Sequence, residues 1–179
     1  PGLLRCTTDL VSKAKMNLLG YENGRVNVEA ITDEEIDALA YHYDLDFDGV
    51  DRAKVYNLVP QVLERCLDVN RDRKMDFDDM VWLPVALGLP TKKFDMLLVD
   101  EFQDTNRCQQ ALAKMAGLRI IAVGDDRQAI YGFAGADAEA MKRFVKEMGE
   151  TPAGIVKIPL TVTRRCGRAI VAEARKLVP

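Results

Sequence analysis

Two adjacent acids stand directly after a short apolar run, in the sequence Leu97-Leu98-Val99-Asp100-Glu101. An aspartate in that position can hold Mg²⁺ through the water shell of the ion, and a neighbouring glutamate can orient or deprotonate an attacking water. In open α/β sheets, ligands bind at the carboxyl ends of strands, which is where these acids would lie. An Asp-Glu pair can also simply cap the helix that follows, so the pair alone leaves both interpretations open.

A second polar segment follows the apolar run Leu118–Val123 and reads GDDRQAIYGFAGAD over residues 124–137. It contains two aromatic residues, Tyr131 and Phe133, separated by one glycine. Residues two apart in an extended segment point the same way, so both rings can face one groove. Packing of the rings in the protein core is the competing interpretation.

The N-terminal half of the chain carries the spacing of amphipathic helices. Apolar positions predict a helix over Thr8–Leu19, and Thr32 with Glu35 forms a capping box that opens a second helix. A third apolar face extends over Asp51–Leu67, where Pro60 predicts a kink or a division into two shorter helices.

From Phe94 onward, short apolar runs alternate with helical patterns. Buried strands are predicted at Met96–Val99, Leu118–Val123 and, more weakly, Ile155–Ile158, with helices at Asn106–Ala116, Ala136–Met148 and Gly167–Leu177. This alternation is typical of an α/β protein with a parallel sheet.

The composition restricts the class of protein. The chain has 179 residues, of which 48% are hydrophobic and 30% charged, as in a soluble globular protein of one domain or slightly more. We expect no membrane span, no signal peptide and a cytoplasmic location. Four scattered cysteines and the single His42 argue against a zinc site or a disulfide framework, so buried free thiols are expected. The net charge of −3 argues against a freestanding electrostatic nucleic-acid binder.

Two acidic stretches are similar to incomplete calcium-binding loops of the EF-hand type. Asp44–Val55 begins DxDxDG, but Val55 occupies the twelfth position, which should be a bidentate glutamate. Asp68–Asp79 has acids at several ligand positions, but Arg73 stands where the turn needs a glycine. Solvated acidic loops are the leading interpretation, and a degenerate EF-hand pair is the remote one.

Longer motifs give a family resemblance. DEFQDTN at residues 100–106 and GDDRQAIYGFAGAD at 124–137 resemble motifs II and III of the UvrD/Rep/PcrA superfamily 1 DNA helicases. Leu160–Cys166 resembles motif IV of that family, and Met75–Met80 resembles the DFDDL segment that precedes motif II. The resemblance is strong over residues 75–178 and only positional before them.

The resemblance implies a partial RecA-like, P-loop NTPase sheet with an N-terminal helical subdomain. Residues 1–74 would form the helical 1B-like insertion, 75–150 the second half of the first RecA-like domain, and 151–179 the start of the second. The implied function is ATP hydrolysis with Mg²⁺, coupled to movement on single-stranded DNA. The implied partners are that DNA and the remainder of the helicase.

The resemblance also implies roles for particular residues at the ATP site. Asp100 would assist Mg²⁺, and Glu101 would be the general base. Gln103 and Gln128 would sense the γ-phosphate and link it to DNA. Arg165 would act on the same phosphate in the manner of an arginine finger.

Some positions depart from the family pattern. By resemblance, Tyr131 and Phe133 would lie on the DNA side, but Ala134 replaces the arginine of the family's FRGA. In motif IV, Arg164 replaces a tyrosine and Cys166 replaces a serine, and the helix register downstream favours Arg165 as the phosphate ligand.

The chain contains no GxxxxGK[ST] loop to cradle phosphates. We therefore expect the isolated chain to show neither ATPase activity nor tight ATP binding. A helicase-derived docking module without hydrolysis is the alternative function.

Overall fold

The computed structural model describes residues 2–68, 75–128, 140–149 and 154–177. The chain divides into two compact units, residues 1–144 and 145–179. The domain boundaries expected from the family resemblance, after residues 74 and 150, remain predictions.

Four helices lie in the N-terminal part of the first unit: α1 (Gly2–Asn17), α2 (Asp33–His42), α3 (Arg52–Leu67) and α4 (Phe77–Ala86). The predicted capping box is confirmed, because Glu35 N–H donates to Thr32 Oγ1 while Glu35 Oε2 accepts from Thr32 N–H. Helix α3 is a single helix with Pro60 inside it, so the predicted division into two helices is wrong. Helix α4 was not predicted.

The core of the first unit lies among these helices. Its fully buried side chains include Leu10 of α1, Ile36 of α2, Val55 and Val59 of α3, and Trp82 of α4. Complete burial of an apolar side chain of this size contributes about 1.5–3 kcal/mol, which makes this contact region the main source of stability for the helices.

A short antiparallel hairpin, β1 (Tyr21–Glu22) and β2 (Arg25–Val26), joins α1 to α2 and was not predicted. Its turn includes Gly24, whose φ of +83° is readily adopted only by glycine.

The predicted parallel sheet is present as β3 (Leu97–Val99) and β4 (Ile120–Ala122), joined through α5 (Arg107–Ala116). Leu97 pairs with Ile120, and Val99 pairs with Ala122. This is a strand–helix–strand unit, and the mixed helix and strand content fits the predicted α/β class.

The prediction that these two strands are buried is wrong in part. Leu98 is 70% exposed and Ile121 is 41% exposed. The physical reason is that, within the described residues, the sheet consists of only these two strands. Side chains on one face of the pair therefore have few neighbours.

The last helices are α6 (Ala140–Gly149), which crosses the division between the units, and α7 (Arg168–Leu177). Residues 136–139, where the fifth predicted helix should begin, lie outside the described part. The predicted third strand is wrong, because Ile155–Ile158 is irregular and Val156 is 84% exposed. A strand needs a partner for its backbone groups, and none pairs with it in the ranges that the structure describes.

The cysteines follow the expectation of buried free thiols only in part. Cys6 and Cys108 are buried, Cys66 is half-buried, and Cys166 is exposed. Burial, with a smaller contribution from Asp78, raises the pKa of the Cys108 thiol to about 12. That thiol therefore behaves as a core side chain at neutral pH. Over the ranges described here, no helix is long and apolar enough to cross a membrane.

Candidate functional site

The carboxyl ends of β3 and β4 lie side by side because the two strands are parallel and in register. Backbone hydrogen bonds continue past the strands, from Val123 N–H to Val99 O at 2.9 Å and from Phe102 N–H to Val123 O at 2.9 Å. The two polar segments predicted to form the site therefore begin at the same edge of the sheet.

Asp100 and Glu101 are both exposed at this edge. Glu101 has φ of 49° and ψ of 43°, the left-handed conformation, and its N–H donates to Asp100 Oδ1 at 3.0 Å. This conformation costs a residue with a side chain roughly 1–2 kcal/mol, and such strain is concentrated at functional sites. The buried ring of Phe102, 4.5 Å from that of Phe144 between centroids, anchors the turn that follows.

The alternative role for the acids, capping of the next helix, is not seen. The cap of α5 is Asn106, whose Oδ1 accepts from Gln109 N–H while Gln109 Oε1 accepts from Asn106 N–H. Glu101 precedes a short 3-10 turn, Phe102–Asp104, and its side chain makes no capping hydrogen bond to it. The two carboxylates therefore remain available for other chemistry.

Gln103 connects the two strand ends. The side chain is 3% exposed; its Nε2 donates to Glu101 Oε2 at 2.9 Å, and its Oε1 accepts from Asp125 N–H at 3.1 Å. Nε2 is also 3.4 Å from Asp104 Oδ2, a longer and weaker contact. Gly124 makes room for this amide, since a Cβ there would lie 2.5 Å from Gln103 Oε1.

Gln128 lies on the same edge, in a 3-10 turn after β4. Its Nε2 donates to Asp125 Oδ2 at 2.8 Å, and its backbone N–H donates to Asp125 O at 3.0 Å. Of the predicted site residues, the structure thus brings together Asp100, Glu101, Gln103 and, through Asp125, Gln128.

The other predicted site residues belong to the second unit or lie outside the described residues. Arg165 belongs to the second unit, where it is exposed and its N–H lies 3.4 Å from Thr163 Oγ1. Tyr131, Phe133 and Ala134 lie outside the described residues.

The carboxylate oxygens at the strand ends are of the kind that could hold a hard divalent cation. Mg²⁺ commonly uses one or two protein carboxylates together with phosphate oxygens and waters. Asp100 provides such a carboxylate, and its one hydrogen bond among the described residues uses Oδ1. No group of three or more His, Cys, Asp or Glu side chains within the described ranges could form a closed metal cage.

In the acidic loop Asp44–Val55, no three or more acids are grouped so that they could hold a metal ion. Asp46 Oδ1 instead accepts from Asp48 N–H at 2.8 Å, and Val55 is fully buried in the core. The EF-hand interpretation gains no support from this loop.

The second acidic stretch is used to join helices, a role that the sequence analysis missed. Asp76 and Asp79 form the capping box of α4, and both contact the buried ammonium group of Lys15 on α1. Lys15 Nζ lies 2.9 Å from Asp76 Oδ2 and 2.7 Å from Asp79 Oδ1. The signal in the sequence was a lysine on the apolar face of α1, adjacent to Ala14.

Calcium should therefore have no selective effect on stability. We expect 1 mM Ca²⁺ to shift the melting temperature of the chain no more than 1 mM Mg²⁺ does. A micromolar site would add about 4 kcal/mol at that concentration, which would be easily measured by calorimetry. A shift found with Ca²⁺ alone would restore the EF-hand interpretation.

The fold and the amino-acid sequence can now be compared with those of known proteins. The fold is a parallel strand–helix–strand unit of the α/β class, and its acids lie at the carboxyl ends of the strands, where open α/β sheets bind ligands. The UvrD/REP helicase N-terminal domain family matches residues 7–149, so the chain belongs to that family. The match begins near the N-terminus, and so extends well beyond the motifs quoted above.

Sequence relatives include an ATP-dependent DNA helicase PcrA from Staphylococcus aureus strain Mu50. It is 34% identical over 93 residues, which is 46% of this chain and 13% of the relative. The PcrA helicase of Staphylococcus epidermidis strain RP62A is 33% identical over 93 residues, with the same coverage. The chain thus spans only a small part of these relatives. No solved structure gives a significant match.

Proposed function

We propose that the chain is an internal part of an ATP-dependent DNA helicase that hydrolyses ATP while moving along single-stranded DNA. Residues 75–150 would be the second half of a RecA-like motor domain, residues 1–74 a helical insertion into it, and residues 151–179 the start of a second motor domain. The observation that carries the proposal is the exposed Asp100–Glu101 pair at the strand ends, because its carboxylates serve no helix cap.

In this proposal, the residues at the strand ends have different roles in ATP hydrolysis. MgATP supplies the electrophilic γ-phosphoryl group and the cation that offsets its charge. Asp100 would hold the cation through its water shell, and Glu101 would orient and deprotonate the attacking water. Gln128 and Arg165 contact the γ-phosphate, following the resemblance. Motifs II, III and IV are assigned on the same basis.

Single-stranded DNA is the proposed partner, and Tyr131 and Phe133 are the proposed stacking residues. Stacking tolerates any base, because each base has a flat face, and it needs no large positive field. A net charge of −3 is therefore compatible with DNA contact through a few local groups.

The experiment that tests this proposal is DNA-dependent ATP hydrolysis by the complete helicase and its Phe133→Ala variant. Stacking contributes roughly 1–3 kcal/mol per base, so the variant should bind a single-stranded oligonucleotide about 5- to 150-fold more weakly. Its ATP hydrolysis should also lose its dependence on DNA. Fluorescence anisotropy and steady-state turnover measure the two effects.

Phe77→Ala is a suitable control, because Phe77 is 88% exposed on α4 and has no proposed role in DNA binding. Chemical denaturation of both variants separates stacking from core packing. A loss of about 3–5 kcal/mol in stability, with normal DNA affinity per folded molecule, would assign Phe133 to the core. ATP hydrolysis that never responds to DNA, even in the unsubstituted protein, would overturn the proposed function itself.

A further inference from the structure

The side-chain amide of Gln103 is hydrogen-bonded within the protein through both its oxygen and its nitrogen. Asp125 N–H can only donate, so it must face Oε1, and the Glu101 carboxylate accepts, so it must face Nε2. The two neighbours therefore admit one orientation of the amide. At 3% exposure, the amide also has little access to solvent or to a ligand.

We infer that Gln103 is a positioning residue, which orients the general base Glu101 and couples it to the segment that carries Gln128. This inference rests on the proposed function. It differs from the role in γ-phosphate sensing that the family resemblance implies for Gln103. The coupling follows continuous hydrogen bonds, from Glu101 Oε2 through Gln103 to Asp125 N–H, and from Asp125 Oδ2 to Gln128 Nε2.

The surroundings of Gln103 hold the amide in place. Gly124 closes over it so tightly that a Cβ would lie 2.5 Å from Oε1 and 3.1 Å from Phe102 N. The adjacent Phe102 is fully buried, which fixes the turn that carries the glutamine. If Gln103 lost its hydrogen bonds to Glu101 and Asp125, its buried amide would be left without partners, which is energetically costly. Both hydrogen bonds are therefore expected to be retained.

Gln103→Met keeps the length of the side chain but removes both hydrogen bonds. In the complete helicase, we expect kcat for ATP hydrolysis to fall about 10- to 100-fold, as when the groups that orient a catalytic side chain are lost. The KM for ATP should be unchanged, and so should the ratio of ATP to ADP affinity, because the amide does not touch nucleotide. Steady-state kinetics and equilibrium titration with a non-hydrolysable ATP analogue and with ADP measure these quantities.

Two results would overturn the inference. A selective loss of affinity for the ATP analogue over ADP would assign Gln103 to the γ-phosphate. Normal kcat per folded molecule, with lowered stability, would leave it only a structural role. A double-mutant cycle adds a third criterion: in a Glu101→Gln background, Gln103→Met should lower kcat no further, because its effect passes through Glu101. A fully additive loss would contradict the inference.

Gly124→Ala tests the same point without altering the amide, and it remains informative if Gln103→Met folds poorly. Its methyl group must displace Gln103, so kcat should fall with KM unchanged; a normal kcat would contradict the inference.

Gln110→Met is the matched control, because Gln110 is also a buried glutamine, 2% exposed, but bonds to Thr105 instead. It should leave kcat unaltered. An inactive Glu101→Gln beside a fully active Gln103→Met would reject the inference alone, whereas ATP hydrolysis that never responds to DNA in the unsubstituted protein would reject the proposed function.

Discussion

Replacement of Glu101 by glutamine in the complete helicase is expected to lower kcat for ATP hydrolysis by at least about 10²-fold while ATP still binds. The carboxylate is exposed at the strand ends and accepts one hydrogen bond from Gln103. A glutamine at this position keeps an oxygen that can accept the same bond. The substitution therefore removes the charge and basicity of the side chain, but not the contact that orients it.

The measurement is steady-state turnover at saturating single-stranded DNA, together with equilibrium binding of ATP. Glu34→Gln is the control, because it makes the same change at an exposed residue in the first turn of α2. It should have no effect on turnover. Near-normal turnover in Glu101→Gln would limit Glu101 to a structural role in its left-handed turn, and the site would need another base.

The helices that carry their own end signals were predictable from the sequence. Thr32 and Glu35 marked the start of α2, and Asn106 marked the start of α5, because a cap depends on residues within one turn of chain. Pro60 does not divide α3, because a proline within a helix can be accommodated when the surrounding face is packed, and Val59 beside it is fully buried.

The strands were less predictable, because a strand depends on partners that are distant in sequence. Leu97–Val99 and Ile120–Ala122 pair with each other although α5 separates them in the sequence. Ile155–Ile158 has a similar composition but no partner in the described part of the chain, and it is irregular. Periodicity records which residues are apolar, and it does not record whether a neighbouring strand is present.

The acids of the site were predictable, but their connections were not. Asp100 and Glu101 were identified from the apolar run before them. The bond between Gln103 and Asp125 depends on the register of two strands, which no local pattern specifies. Likewise, the contact of Lys15 with Asp79 joins residues that are far apart in the sequence.

That lysine gives the largest expected effect on stability. Lys15→Met should lower the free energy of unfolding by about 3–5 kcal/mol, because it leaves Asp79 buried without its cation. Lys15 is 1% exposed and Asp79 is 5% exposed, so water screens the pair very little. The contact with Asp76 adds less, since that side chain is 60% exposed.

The loss of stability in Lys15→Met should be measured near pH 7, where the ammonium of Lys15 and the carboxylate of Asp76 are both ionised and both stabilise the folded state. Burial lowers the pKa of Lys15, but hydrogen bonds to Asp79 and Asp76 outweigh it, so the pKa is raised above 10.5. The stabilisation that comes from protonated Lys15 is complete below pH 10.5 and is lost as the pH rises through the raised pKa. Burial raises the pKa of Asp76, but bonds from Asp79 N–H and Lys15 lower it below 3.8 overall. This second contribution is present above 3.8 and is lost as the pH falls through the lowered value.

Urea unfolding of the chain and of two further variants makes the Lys15 experiment specific. Lys54→Met is the matched control, because Lys54 and Asp51 are 71% and 52% exposed with 3.6 Å between their charged atoms. Exposed pairs contribute about 0–1 kcal/mol, so this variant should be nearly as stable as the parent chain.

Adding Asp79→Asn to Lys15→Met should recover part of the loss of stability, because it removes the uncompensated charge while keeping an acceptor for the α4 cap. If Lys15→Met were no more destabilising than Lys54→Met, the contact between α1 and α4 would be worth no more than a solvated pair. The packing of Trp82 and its apolar neighbours would then have to hold the two helices together alone.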